Sequence, residues 1–325
     1  MRDQFDREIN YARISVTDRC NLRCRYCMPE SGVRKLPHDE ILRIEEIIRV
    51  ADLLARLGIR KIRLTGGEPL LRKNLPALVR ELKKLRGIEQ VTLTTNGVLL
   101  ERFARDLISS GIDGINVSLD TLDAREFEAI TRRGIFAEVH RGIQFLFDVG
   151  FKNVKLNCVP LRGVNEDNLI ALAALAKDHD VKVRFIELMP FGCASQSGFV
   201  GVTSVEIISK LENHFGKLIP EASSKILQGP AKYFSIKGFV GQVGLIDAMA
   251  HKFCGSCNRI RLTAEGFLKS CLCYDTGADV KKLLRTGARD EEILSVMRET
   301  IYRKPFEHSF GVAVGDARQM YQVGG

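Results

Sequence analysis

The chain has 325 residues, 45% of them hydrophobic, and a formal net charge of +9. That length allows one large α/β domain with a smaller companion, the hydrophobic content excludes global disorder, and no apolar run approaches a bilayer span, so no membrane partner is expected. A basic surface attracts phosphates, but the absence of Trp and an aromatic content of only 7% weaken a single-strand stacking platform and leave a small polyphosphate as the better match than nucleic acid.

The chain opens on Met-Arg-Asp-Gln-Phe-Asp-Arg. These residues are charged and no apolar segment follows, which predicts a cytoplasmic chain without a signal peptide. Nine cysteines in such a chain point to metal or redox work rather than a disulfide frame. A first strand is predicted over Arg13–Thr17. Cys20, Cys24 and Cys27 follow it at once, in the run Cys-Asn-Leu-Arg-Cys-Arg-Tyr-Cys. Three thiolates on one short loop can hold three irons of a cubane cluster and leave the fourth iron open to a small molecule. A zinc knuckle is the plainer alternative. It wants four ligands, and His38, the nearest histidine downstream, reads as an exposed polar residue.

Beyond the cysteine loop, strand and helix alternate. Glu45–Leu57 is predicted as an amphipathic helix, with Ile47, Ile48, Ala51, Leu54 and Ala55 at helical spacing and Gly58 as its stop. Strands are predicted at Lys61–Thr65, Val91–Thr95, Ile115–Leu119, Asn153–Val159 and Val181–Ile186. Helices are predicted at Asn74–Leu85, Glu101–Ser110, Glu138–Val149 and Asp167–Ala176. Six βα units imply a parallel sheet with right-handed crossovers, too few to close an eight-stranded barrel. The expected fold is therefore α/β: a partial, open six-stranded TIM-like barrel over residues 1–198, with a smaller C-terminal iron–sulfur domain over 199–325. The small, polar run Gly192–Gly198 marks the boundary. Chemistry in such folds gathers at the C-terminal ends of the strands. There lie the cysteine loop, Gly66-Gly67-Glu68-Pro69, Thr94-Thr95-Asn96-Gly97 and Ser118-Leu119-Asp120. Past the linker come a predicted helix near Ser204–His214, several short strands, and helices near Lys281–Leu284 and Glu291–Tyr302.

A second cysteine set, Cys254, Cys257 and Cys271, has the spacing C-x2-C-x13-C. On spacing alone it is either an iron–sulfur site or a zinc ribbon lacking one ligand, which Cys273 could supply. Asn258-Arg-Ile-Arg-Leu-Thr behind it reads as a strand, so Arg259 and Arg261 share a face. Two guanidiniums beside a metal cluster form an anion clamp that a structural zinc knuckle does not need.

The first triplet, with an aromatic residue just before its last cysteine, resembles the radical S-adenosylmethionine (SAM) superfamily. Phe253-Cys-Gly-Ser-Cys-Asn-Arg-Ile-Arg-Leu-Thr, the later Cys271 and the terminal Gly324-Gly325 make the chain similar, over nearly its whole length, to the molybdenum cofactor biosynthesis protein A family. Members are GTP 3′,8-cyclases. The resemblance implies two [4Fe-4S] clusters, one on Cys20, Cys24 and Cys27 for SAM, and one on Cys254, Cys257 and Cys271 for the guanine of GTP. It implies SAM contacts at Tyr26, Gly67, Ser118 and Met189. It places GTP at Arg13, Arg63, Thr94, Lys155, Arg259, Ile260 and Arg261, and brings the double-glycine tail to the active site. It further implies a ferredoxin- or flavodoxin-type reductant protein and a downstream cyclic pyranopterin monophosphate synthase as partners, and allows a homodimer. Lys61 and Arg184 are additional cation candidates. Cys158 and Cys193 read as non-ligands, and Cys273 as a competing ligand or a buried thiol.

Overall fold

The computed structural model describes residues 1–32, 36–222, 229–310 and 318–324. Along the first half, β1 (Tyr11–Ser15), α1 (Ile44–Arg56), β2 (Lys61–Thr65), α2 (Leu75–Lys84), β3 (Gln90–Thr95), α3 (Leu100–Ser109) and β4 (Gly114–Ser118) alternate as expected. Two helices, α4 (Ala124–Thr131) and α5 (Phe136–Asp148), lead to β5 (Val154–Cys158), and α6 (Leu169–Asp178) to β6 (Val181–Ile186). After them come α7 (Ser204–Phe215), β7 (Leu218–Pro220), β8 (Lys232–Ile236), β9 (Gln242–Ile246), β10 (Arg259–Leu262), β11 (Phe267–Lys269) and β12 (Gly277–Asp279). The helices α8 (Val280–Arg285), α9 (Asp290–Tyr302) and α10 (Met320–Val323) complete the order.

All twelve strands form one mixed sheet in the order β12-β11-β10-β1-β2-β3-β4-β5-β6-β9-β8-β7. The strands β1 to β6 are parallel neighbours, as six βα units require. β10 pairs in parallel with β1, and β9 pairs in parallel with β6, so both edges of the six-stranded sheet are covered by strands from the second half. An uncovered edge would present a row of unpaired N–H and C=O groups. The outer strands β11, β12, β8 and β7 add antiparallel.

Alternation along the strands sets the two faces of the sheet. In β2, Ile62 and Leu64 join the hydrophobic core, while Lys61, Arg63 and Thr65 line a cavity on the other side. In β1, Ala12 and Ile14 pack into the core, while Tyr11 and Arg13 face the cavity. On the core side, α1 buries Ile47, Val50, Ala51, Leu53 and Leu54, and Gly58, at φ 90°, carries the chain out of that helix. α4 was not anticipated from the sequence. Its start is fixed by Asp123, whose carboxylate accepts from the Arg125 and Glu126 amides at 2.9 and 2.8 Å. Among the described residues, no helix is long and apolar enough to cross a membrane.

Candidate active site

A single cavity of about 650 Å³ is lined from β1 to β6 and from β9 and β10, so this face of the sheet is concave. Both cysteine triads open onto it. All nine cysteines are free thiols. Among the described residues, no three His, Cys, Asp or Glu side chains converge tightly enough to hold one metal ion.

The first triad sits between the ends of β1 and β2. Gly67 and the preceding Gly66 make the approach of the two loops possible. A Cβ on Gly67 would lie 2.3 Å from the Arg19 carbonyl oxygen, and one on Gly66 would lie 2.6 Å from that of Thr17. Burial pushes the Cys20 thiol up to about 11 and the Cys27 thiol to about 12. Thiolates there need a cationic metal centre to offset desolvation, so the donor set fits an iron–sulfur cluster. Tyr26, between the last two cysteines, donates to Asp120 Oδ2 at 2.6 Å, and Asp120 Oδ1 accepts from the Val159 amide at 2.8 Å. Burial lifts Asp120 to about 6. Asn96 reaches the same loop, donating to Asn21 Oδ1 at 2.8 Å and to Cys20 Sγ at 3.8 Å. Its own amide donates to Glu68 Oε2 at 2.7 Å, and Thr95 donates to Glu68 Oε1 at 2.8 Å. The Gly-Gly-Glu-Pro loop and the end of β3 are thereby locked together beneath the cysteines.

The second triad sits where β10 joins β1. Arg259 Nη2 donates to Cys257 Sγ at 3.7 Å. Although burial alone would raise it, Arg259 and Lys304 bring the Cys257 thiol down to about 6. Cys273 also lines the cavity; it is buried, with Ser309 Oγ 3.9 Å away.

Between the triads lies a floor of cations. The strand register puts Arg13 directly beside Arg261 on one side and beside Arg63 on the other. Neighbouring strands are about 4.8 Å apart, and like charges placed opposite one another repel. Burial first, and then Arg261, lowers Arg13 well below the usual guanidinium range. Arg261 is held down to about 10 by burial and by Arg259. Across the sheet, Lys155 pairs with Lys182 in the next strand, and burial followed by Arg184 and Arg63 brings Lys155 down to about 6. Asn116 on β4 relieves part of this repulsion. With its amide oxygen turned inward it accepts from Arg184 Nη2 at 3.0 Å and from both terminal nitrogens of Arg63. Asn157 Oδ1 accepts from Arg184 Nε at 2.8 Å and from Nη2 at 2.5 Å. Thr94 Oγ1 is buried in the same region and has no hydrogen-bond partner among the described residues, as a group awaiting a ligand would be.

The C-terminal tail enters this space. Met320 and Tyr321 line the cavity, and Arg261 donates to the Val323 carbonyl at 3.1 Å and to the Gly324 carbonyl. A Cβ on Gly324, at φ 78°, would lie 2.1 Å from Thr65 Oγ1. Gly325, the other half of the double glycine, lies outside the described residues.

Of the residues singled out in the sequence, the cavity gathers Tyr26, Gly67, Ser118 and Met189, Arg13, Arg63, Thr94, Lys155, Arg259 and Arg261, and all six triad cysteines. Ile260 stands apart. It alternates with the two arginines, and its side chain lies in the hydrophobic core, 1% exposed, leaving only its main chain for a ligand. Sequence reasoning missed the roles of Asn116 and Asn157, polar residues facing inward at alternate positions of central strands. It also missed Tyr11, whose ring lies 5.4 Å from Lys61 Nζ and 5.5 Å from the Arg63 guanidinium. The period-two pattern carried a signal for all three; only the register says which cations they meet.

Two family sequence models match consecutive stretches of the chain: that of the Radical SAM superfamily over residues 14–176 and that named Molybdenum Cofactor Synthesis C over residues 181–310. Among curated relatives, the chain is 49% identical over 327 residues to the GTP 3′,8-cyclase of Pelotomaculum thermopropionicum, covering 100% of both chains. It is 46% identical over 306 residues to the GTP 3′,8-cyclase of Thermodesulfovibrio yellowstonii, covering 94% of each. Among solved structures it resembles HydG, a maturase of the [FeFe]-hydrogenase, with a TM-score of 0.50 and 15% identity, over 63% of this chain and 49% of that one. That last likeness is one of fold alone. With two cysteine triads opening onto one basic cavity and relatives alike from end to end, the chain belongs to the radical SAM superfamily and, within it, to the family of the GTP 3′,8-cyclases.

Proposed function

We propose that this protein is a radical SAM lyase that converts GTP to 3′,8-cyclo-7,8-dihydro-GTP, the first step of molybdenum cofactor biosynthesis. The observation that carries the reading is the row Arg261–Arg13–Arg63, set edge to edge across three strands in the cavity that both triads share. A row of guanidiniums on one face of a cavity matches a triphosphate.

Superfamily membership implies a [4Fe-4S] cluster and SAM, which together supply a 5′-deoxyadenosyl radical when bound. Cys20, Cys24 and Cys27 would hold that cluster. Gly67 would admit the methionyl group, with Tyr26, Ser118 and Met189 around the rest of SAM. A second cluster on Cys254, Cys257 and Cys271 would take the guanine. Arg13, Arg63, Lys155, Arg259 and Arg261 would hold the phosphates, with Thr94 and the Ile260 main chain alongside. In that pose the ribose of GTP would face SAM and present its 3′ hydrogen for abstraction, with guanine C8 placed for ring closure. A freed radical attacks whatever is nearest, so the protein's task is position and exclusion of water. The tail, held by Arg261, serves the second purpose from within its own chain.

We read the concave parallel segment as an open barrel, and residues 199–325 as the part that brings the second cluster and closes both sheet edges. The electron that completes the reaction, taken up together with a proton, would come from a ferredoxin- or flavodoxin-type protein in the cytoplasm. The product would pass to a cyclic pyranopterin monophosphate synthase. A homodimer is compatible with this arrangement.

The test is anaerobic reconstitution, followed by incubation with SAM, a reductant and each nucleoside triphosphate in turn, with product masses recorded. GTP alone should drive 5′-deoxyadenosine formation together with a cyclised nucleotide. Turnover with ATP or CTP but not with GTP would reject the substrate.

A further inference from the structure

The N-terminal hook ahead of β1 contributes nothing to the cavity lining, yet one of its side chains spends every donor it has near the second triad. Arg7 is 7% exposed. Its Nε donates to Asp3 Oδ2 at 2.6 Å. Nη1 donates to the Cys254 carbonyl and to the Phe306 carbonyl, both at 2.8 Å. Nη2 donates to the Pro305 carbonyl at 2.7 Å and to the Lys304 carbonyl at 3.3 Å. A guanidinium has five N–H donors, and here all five are used.

Lys304 continues the frame from the other side. It is 2% exposed, and its ammonium donates to the Arg259 carbonyl at 2.9 Å and to the Ser270 carbonyl. Arg259 lies two residues past Cys257, and Ser270 is the residue before Cys271. Each of the three cysteines is therefore within two residues of a carbonyl pinned by one of two buried cations. The loops that carry them are otherwise poor in regular structure: Cys254–Ser256 forms a single 3-10 turn, and Cys271 lies in the loop beyond β11, separated from the strand's end at Lys269 by Ser270.

We infer that Arg7 and Lys304 are positioning residues that preset the spacing of Cys254, Cys257 and Cys271 for the second cluster. The inference rests on the two-cluster reading above and goes beyond it by assigning the assembly of that site to two side chains that bind neither iron nor nucleotide in it. Lysine cannot replace Arg7. An ammonium offers three donors from one point, whereas the five partners of Arg7 are spread along a planar fork.

The test compares the full-length protein with Arg7→Lys and Lys304→Met, each reconstituted anaerobically. Iron per chain is counted, and the electron paramagnetic resonance of the reduced protein is recorded with and without GTP. The wild type should hold about eight irons, and each variant about four. In the variants the signal of the first cluster and SAM binding should persist, while the GTP-induced change in the spectrum is lost. In Arg7→Lys, loss of that change with all the iron retained would support the inference equally, because a misplaced cluster still counts as iron. In Lys304→Met, whose native side chain also lines the cavity, it would mark a direct nucleotide contact and overturn the positioning role of Lys304. Equal loss of both clusters would mark a general folding role and overturn it. So would variants with about eight irons and an unaltered response to GTP. A wild type with only about four irons would bring down the two-cluster reading and this inference with it. If Arg7→Lys does not fold, Lys304→Met still decides, because it leaves the N-terminal hook intact.

Discussion

Arg13 is half-buried and flanked in register by two other arginines. With a triphosphate in place each guanidinium gains a charge-assisted hydrogen bond of about 1.5–3 kcal/mol. Arg13→Met should therefore weaken GTP binding roughly 10- to 100-fold while SAM binding is unchanged. Separate calorimetric titrations of the two ligands check this, and an equal loss of both would contradict the assignment. Lys155 gives a pH prediction. Burial and its cationic neighbours hold it down to about 6 in the free protein. A polyanion beside it raises that value again. Above pH 6, GTP binding should take up a proton, and affinity should fall as pH rises toward the pKa of the bound state. Calorimetry in buffers of different ionisation heat reads this uptake directly. Proton release, or an uptake that survives Lys155→Met, would contradict it.

At the scale of elements, the loops after β1 and β2 approach this closely because Gly66 and Gly67 have no side chains. Gly67→Ala must push the cysteine loop outward, and the variant should lose the first cluster and SAM binding while keeping its helical signal in circular dichroism. A variant that still cleaves SAM at the wild-type rate would show that the loops need not approach so closely. The sheet edges give a second prediction. Residues 1–198 alone would expose the edges of β1 and β6, which β10 and β9 cover in the whole chain, so that fragment should aggregate or stay partly unfolded. A monomeric fragment with a cooperative melt would contradict the account. These elements also mark how far the sequence could be read. The alternation Lys61, Ile62, Arg63, Leu64 announced a strand with cations on one face, and the cysteine spacings announced the two triads that line the cavity, because both signals are local. The joining of β9 and β10 to opposite ends of one sheet was not legible, since strand pairing over such separations leaves no mark in either segment alone. Nor was the reach of Arg7 to Cys254. α4 did carry a local signal, the cap at Asp123, but its short apolar pattern does not stand out between two stronger elements.

For the whole molecule, the net charge of +9 is expressed inside as well as outside, in a cavity floored by arginine and lysine. Iron-free protein should consequently bind triphosphates without choosing among bases. At 100 times its Kd, GTP or ATP should stabilise it alike, by about 2.7 kcal/mol. Discrimination should appear only after reconstitution, when the second cluster can take the guanine. Thermal melts with each nucleotide test this; an iron-free protein that already prefers GTP would place base recognition in side chains instead. If one cavity brings the ribose of GTP against SAM at the first cluster, turnover with GTP carrying deuterium at the ribose 3′ position should move the label into 5′-deoxyadenosine. Unlabelled 5′-deoxyadenosine from that substrate, or label acquired only from GTP deuterated at another carbon, would contradict it.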